Sequence, residues 1–520
     1  MSTLEILGLV LATALTAGCG APPPAAAPAA PAAPAAPAAP AASSPPVAPD
    51  GARVTPLVMS RAAVSSGDRV YAANQTSNTV SVVDPSAPGG GALVGEIVLG
   101  APRTEVLSPI YRGQLNVHGL GFSPDHKTIV AVSIGSNSVT FIDTATNAVK
   151  GIAYIGRAPH EAFFTPDGRE VWAAVRGESY LSVIDAQTFK ETSRIVVADG
   201  PGMTLFRPDG RVAFVVSSFT PEVDVIDVAT RAVVARVPVV SPFSPDLFIS
   251  SDGRELWMTH KDVGKVTIID AVSFKVKSVL DTGPITNHVA LLDTSRGNLA
   301  FVTVGGLNEV KVFTRDEAPK LVATIPTGAL PHGLWPSDDQ TRVYVGLENG
   351  DAVSVIDAVA LKEVARIPIG QAPQALIYVS KAVPASAPPA NLKALGEAQR
   401  PVEVTLQRPS GAPPAPAAAP AKGGGLVVVR GFGLVDTVDV NVFGLEPDRR
   451  WLLVLDDGPA HATTLAAFAT NAKGVGAAQV TGPVRRSSGL DTPARARRGL
   501  RVVAEGALPG AAPRLVGPLP

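Results

Sequence analysis

The chain has 520 residues, 46 % hydrophobic and 17 % charged, with 49 glycines and 49 prolines, enough for more than one folded unit with a large core and many turns. A net charge of -1 at pH 7 offers no basic face to phosphates and excludes a nucleic-acid partner. The single cysteine, Cys19, excludes an intrachain disulfide and a cysteine zinc site.

Residues 4–20, LEILGLVLATALTAGCG, form an apolar run that ends in small residues at Cys19. The run is too short to span a bilayer and reads as the core of a signal peptide. With Thr16, Ala17 and Gly18 ahead of Cys19, it resembles a bacterial lipoprotein signal over residues 1–19, although no Lys or Arg precedes it and Glu5 sits near its start. The resemblance implies lipidation at Cys19. The protein would then lie in the periplasm or cell envelope as an outer-membrane lipoprotein, touching the membrane only through its anchor. Residues 20–52 carry proline at nearly every third position, which blocks helix and favours an extended polyproline II spacer.

From about 68 to 380 a unit of roughly 42 residues repeats. Each unit reads as four short strands. PDG at Pro166 and Pro208 and SDG at Ser251 mark tight hairpins between first and second strands. Asp84, Asp143, Asp185, Asp227, Asp270 and Asp357 end the third strands, with Thr314 in the missing place, and their spacing to Thr or Phe suits an Asx turn into the outermost strand. Four strands per unit at this period describe a propeller blade. The set begins with a second strand and ends with a first strand, QALIYVS, so seven blades closed 3+1 are expected over residues 53–382. The segments RVYAANQTSNTVSVVD, GSNSVTFIDTATNAV and RVYVGLENGDAVSVIDAVALKEVARIPIG resemble YVTN-repeat (YncE-like) β-propeller proteins. That resemblance implies the seven-bladed fold and an extracytoplasmic setting, but no particular activity.

Aligning the units places His118, His160, Gly202, Asp246, His288, His332 and Gln374 at the start of the innermost strand, near one channel mouth. His118, His160, Asp246, His288, His332 and Gln374 are therefore the candidate ligand site. Imidazoles beside a carboxylate suit a transition metal. The alternative is structural, with each histidine bonding a neighbouring blade's backbone. Two adjacent pairs, His118 with His160 and His288 with His332, are expected to lie too far apart to share one ion. Glu161, adjacent to His160 on a strand, is expected to point to the other face. His260 and Lys261 read as a solvated hairpin loop.

Residues 383–425 read as a linker with an early strand near 402–406. Residues 426–520 read as a small, sandwich-like β domain with an accessory or interaction role, and the basic run at 485–498 reads as a solvated loop. The fold class is therefore all-β. No catalytic motif of the zincin, nucleophile-elbow, P-loop or dinucleotide type is present. The expected function is a monomeric, extracytoplasmic binding or scaffold protein that engages a protein or small-molecule ligand at the propeller face or channel mouth, with no cofactor assigned and no catalytic residue. The alternative is a metalloprotein or enzyme, redox or lactonase-like, that uses the histidine-lined mouth.

Overall fold

The computed structural model describes residues 61–99, 115–385, 388–395, 402–409, 423–432, 435–456, 462–482, 499–507 and 512–518. The signal segment with Cys19, the Pro/Ala spacer, most of the 101–116 insertion and the basic run at 485–498 lie outside the described residues. The described residues all fall in one compact unit, Ala52–Pro520. They contain β-strands numbered here β1 (Arg69–Asn74) to β36 (Leu515–Pro518).

The first 28 strands form seven four-stranded sheets. Blade 1 is β28 (Pro373–Val379) followed by β1, β2 (Thr79–Asp84) and β3 (Ala92–Val98). Blades 2 to 7 begin with inner strands β4 (Val117–Phe122), β8 (Pro159–Phe164), β12 (Pro201–Phe206), β16 (Leu247–Ile249), β20 (Thr286–Thr294) and β24 (Pro331–Pro336). The inner strands contact one another in that order and return through β28, so the ring is complete. Side chains set this layering. Inner and middle strands such as TIVAVS and VAFVVS are buried on both faces, as strands between packed sheets must be. Outer strands such as KETSRIV alternate between exposed and half-buried.

The turn chemistry is local and repeated. In the first hairpin of blade 3, Asp167 accepts hydrogen bonds from the Thr165 hydroxyl (2.6 Å) and the Arg169 N–H (3.1 Å), and Gly168 takes the left-handed conformation at φ 71°. Asp143, Asp185 and Asp227 each accept from the backbone N–H and hydroxyl of the threonine three residues on. These aspartates serve as Asx-turn acceptors.

Closure is 3+1. β28 pairs antiparallel with β1, from Arg69 opposite Val379 to Asn74 opposite Pro373. Buried Asp68 latches this seam. Its carboxylate accepts from the Ser65 N–H (2.8 Å) and hydroxyl (2.9 Å), the Tyr378 hydroxyl (2.5 Å) and the Lys381 N–H (2.8 Å). Two of these donors come from the far end of the repeat region.

The C-terminal sandwich-like domain is one eight-stranded antiparallel sheet, ordered β33-β32-β35-β36-β29-β30-β31-β34, with β31 at Val435–Phe443, β32 at Arg450–Asp456 and β35 at Gly499–Ala504. Its edge strands β33 (Ala462–Ala469) and β34 (Gly476–Gly482) are joined by a bridge between Thr470 and Gly476, so the sheet nearly closes on itself. The early strand β29 (Val402–Gln407) pairs with β30 (Gly424–Phe432) and β36, and its Val404 and Leu406 enter the domain's core.

Removing the latch should loosen the seam in a graded way. Asp68→Ala is expected to cost about 3 kcal/mol and Tyr378→Phe about 1 kcal/mol, because the first strands several buried donors and the second removes one bond. Urea unfolding midpoints measure both, and two negligible shifts would show that Asp68 does not hold the ring.

Candidate ligand site at the channel mouth

A bulge shared by the inner strands builds the site. In β4 the register steps from Val117 opposite Ser133 to Leu120 opposite Ala131, three residues against two. β8, β12, β20, β24 and β28 show the same irregularity. Two consecutive residues per blade, rather than one, are thereby turned out of the regular pleat. They form two tiers. The outer tier is His118, His160, Gly202, Pro245, Asn287, His332 and Gln374, and the next is Gly119, Glu161, Met203, Asp246, His288, Gly333 and Ala375.

These tiers correct three sequence expectations. Asp246 and His288 are not equivalent to His332 but lie one residue further along the strand. Thr286 pairs with Val304 as Pro331 pairs with Leu347, and Leu247 pairs with Met258 as Leu334 pairs with Val345. Glu161 does not point away from His160's site, because the bulge suspends strict alternation. The two histidine pairs are not far apart either. Ring centroids lie 4.2 Å apart for His118 and His160, 4.8 Å for His288 and His332, and 6.1 Å for His118 and His332.

Glycine supplies the room. A Cβ on Gly119 would fall 2.2 Å from the His160 carbonyl oxygen, and one on Gly333 2.1 Å from that of Gln374. At those two second-tier positions the neighbouring blade leaves no space for a side chain.

The polar groups are arranged in pairs. His160 Nδ1 bonds the Gly202 carbonyl at 2.9 Å, and His332 Nδ1 bonds that of Gln374 at 3.3 Å. These are the blade-to-blade contacts of the structural alternative. Glu161 accepts the Leu120 N–H with Oε2 (3.2 Å) and turns Oε1 towards His118 Nδ1 (3.7 Å). Asp246 accepts the Val289 N–H with Oδ2 (2.8 Å) and meets His288 Nδ1 with Oδ1 (3.1 Å). His118 Nδ1, Glu161 Oε1 and His288 Nε2 are buried without hydrogen-bond partners among the described residues.

Burial pushes His118, His160 and His332 well below the usual imidazole value, with added repulsion from Arg176 on the first two and Lys261 on the third. Burial also pushes Glu161 well above the carboxylate range, and the nearby charge of Asp246 adds to the shift.

Three residues missed from sequence complete the mouth. Arg176, Lys261 and Glu348 each stand one residue beyond the second strand of their blade, at the same end of the propeller as the start of the first strand. Their shared position was the available signal. Burial lowers Arg176 to about 10, and its Nε and Nη2 are buried without an acceptor among the described residues. Of the two residues expected in a solvated hairpin loop, Lys261 does open the turn and is half-buried, whereas His260 ends the strand before it. His260 is fully buried, with its ring nitrogens at 2.9 Å from the Ser244 hydroxyl and 2.7 Å from the Thr267 hydroxyl, and burial lowers it to about 4.

The C-terminal domain sits on this face. Buried Arg430 donates to the Glu348 carbonyl (2.6 Å) and the Asn349 side chain (2.9 Å), and pairs with Asp439 in its own domain (2.8 Å). Asn471 donates to the Asp262 carbonyl (2.7 Å), and Leu426 and Val428 pack on Ala329. On the other side of the histidines, Trp335 packs against Phe122, Phe163 and Phe248 at centroid distances of 6.0, 6.3 and 5.4 Å. A small pocket lies between the polar tiers and these rings and is lined by Glu161, Asp246, His288, Phe163 and Trp335.

The molecule is thus a seven-bladed β-propeller with an imidazole–carboxylate cluster at one mouth, covered by a second β domain. Residues 136–383 match the family model described as YncE-like β-propeller. Among solved structures the chain is similar to a functionally unknown protein from Desulfotomaculum acetoxidans. The identity is 12 %, with 60 % of this chain and 99 % of that one covered, at a TM-score of 0.51. It is also similar to hydrazine synthase from Kuenenia stuttgartiensis (23 % identity, 52 % and 91 % covered, TM-score 0.47). A third likeness is to periplasmic gluconolactonase from Pseudomonas aeruginosa (18 % identity, 60 % and 99 % covered, TM-score 0.48). At these identities the likenesses concern the fold alone. No curated protein sequence matches the chain.

The buried neutral imidazoles make stability depend on pH with a definite sign. Their folded-state values lie below the unfolded one, so their contribution is complete above about pH 6.5 and is lost as pH falls towards each folded value. Glu161 acts in the opposite sense, contributing below its ordinary value and losing that as pH rises through its folded one. Urea midpoints are expected to fall between pH 7 and 5. His260→Asn is expected to remove part of that fall, up to about 3 kcal/mol over the whole range down to pH 4. Parallel pH profiles for the two proteins would refute the assignment to His260.

Proposed function

We propose that the protein is an extracytoplasmic binding protein, lipid-anchored at Cys19 on the outer membrane, that takes a small oxyanion of the carboxylate or phosphate class at the covered channel mouth. One observation carries this reading. The Nε–Nη2 edge of Arg176 presents two buried N–H groups with no acceptor, beside the histidine cluster. A guanidinium edge matches a carboxylate or phosphate with two parallel bonds, and an unmatched one in a dry site is costly. Lys261 adds a second cation at the same mouth, with the charge of Glu348 acting on it. The protein acts as a monomer, and the signal and spacer hold the propeller away from the membrane.

Calorimetric titration of the full mature chain with succinate and with inorganic phosphate tests the ligand class. One-to-one binding of either is expected, weakened at least about tenfold by Arg176→Ala, the loss of one bidentate pair, and unchanged by substitution of exposed Arg169. Failure of both probes to bind would sink the oxyanion reading. Mass spectrometry of the mature protein from the envelope is expected to find an acylated Cys19 at its N-terminus, and an unmodified cysteine there would remove the anchor.

A further inference from the structure

The second-tier carboxylate and the two imidazoles beside it form a set that hydrogen bonding within the protein does not complete. His118 Nδ1 and Glu161 Oε1 are both buried, both without partners among the described residues, and 3.7 Å apart. That separation is too long for a hydrogen bond. It is close to the roughly 3.4 Å between two ligand atoms that share a tetrahedral ion at bonds of about 2.1 Å. His160 brings the third donor. Its Nδ1 is held at 2.9 Å by the Gly202 carbonyl, which fixes that nitrogen as the N–H and leaves the Nε2 lone pair for a ligand. One ligand atom from each of His118, His160 and Glu161 can be chosen so that all lie within 4.8 Å of one another.

We propose that His118, His160 and Glu161 bind one divalent transition-metal ion of the zinc class, leaving a coordination position open towards Arg176. Two imidazoles and one carboxylate suit zinc and its neighbours, and such a set with an open position accepts a further ligand. The supporting contacts are those a metal ligand needs. Glu161 spends Oε2 on the Leu120 N–H and so keeps Oε1 for the ion, while the Gly202 carbonyl orients His160. Binding draws ligand atoms that now lie up to 4.8 Å apart towards that tetrahedral spacing. Burial already keeps both imidazoles neutral at neutral pH, so they need lose no proton. The open position rests on the oxyanion reading, since the anion on Arg176 would fill it; the three-residue site itself does not.

The test uses the full mature chain, stripped with a chelator, dialysed, and titrated with cobalt(II). One equivalent per chain is expected, with visible ligand-field bands that zinc(II) abolishes by competition. His160→Ala should remove the bands, and Glu161→Gln should weaken binding at least about tenfold while keeping the Leu120 bond and the fold. Substitution of Asp281, an exposed carboxylate on the outermost strand of blade 5, by asparagine should change nothing. Absence of stoichiometric cobalt, or binding that neither His160→Ala nor Glu161→Gln alters, overturns the proposal. Succinate binding to the chelator-treated chain separates the two ideas. Succinate without cobalt binding removes the metal alone, and cobalt without succinate or phosphate binding removes the oxyanion reading alone.

Discussion

The pairing of β28 with β1 holds the rest of the molecule in place. Seven sheets around an axis make a ring only if the last inner strand returns to the first blade, and here that contact joins residues some three hundred positions apart. Without it, β1 would present its unpaired edge to the channel. The inner circle would also lack Gln374, the outer-tier residue between His332 and His118. Those two rings face each other across the seam at 6.1 Å, so the histidine cluster exists only in the closed ring. Bringing such distant segments together carries a loop-closure cost. The bonds that oppose it are concentrated at the seam, in the Asp68 latch, in Arg342 bonded to the Pro85 carbonyl (2.7 Å) and in His126 bonded to the Ser380 carbonyl (2.7 Å).

The bulge then decides what the closed ring presents. A regular strand would show one residue per blade to the mouth and hide the next. Three residues against two let His160 and Glu161 serve the same site from adjacent positions. Each second-tier carboxylate also ties two blades, with one oxygen on a backbone N–H and the other towards an imidazole. Glu161 reaches back to blade 2 and Asp246 forward to blade 6. In Asp246 the imidazole contact is short and complete. In Glu161 it is not, and the difference between 3.1 and 3.7 Å marks which side of the cluster has a vacancy in its hydrogen bonding.

Blade number, strand order and 3+1 closure were legible from the sequence because a repeat states its register many times. The Asp-to-Thr spacing and the Asp-Gly turns each recur in several units. The site was less legible for the same reason. Aligning His288 with His332 by local resemblance ignored the second strand, whose end fixes the register through Val304 and Leu347. A bulge has no signature when one of its two residues is glycine in some blades and a charged group in others. His260 looked like loop chemistry because a Lys-Asp-Val-Gly turn follows it. The last residue of a middle strand is nevertheless interior, and two hydroxyls were there to satisfy it.

The C-terminal domain bears on chemistry it does not itself perform. Its strands bring no residue into the two tiers, yet Arg430 ends 3 % exposed between the two domains, its charge divided among Asp439, the Glu348 carbonyl and Asn349. A guanidinium so enclosed is worth its desolvation only if its bonds persist, so the domain is seated rather than loosely tethered. Seating it on the mouth excludes water from the residues beneath. Lys261 and Glu348, both half-buried, shift in the directions burial dictates, downwards for the cation and upwards for the acid. In that drier setting an unmatched Arg176 edge and an unmatched His118–Glu161 pair are more costly than the same groups in water, and an ion or anion that completes them is held more tightly. The second domain therefore raises the binding strength of a site that, among the described residues, the propeller makes.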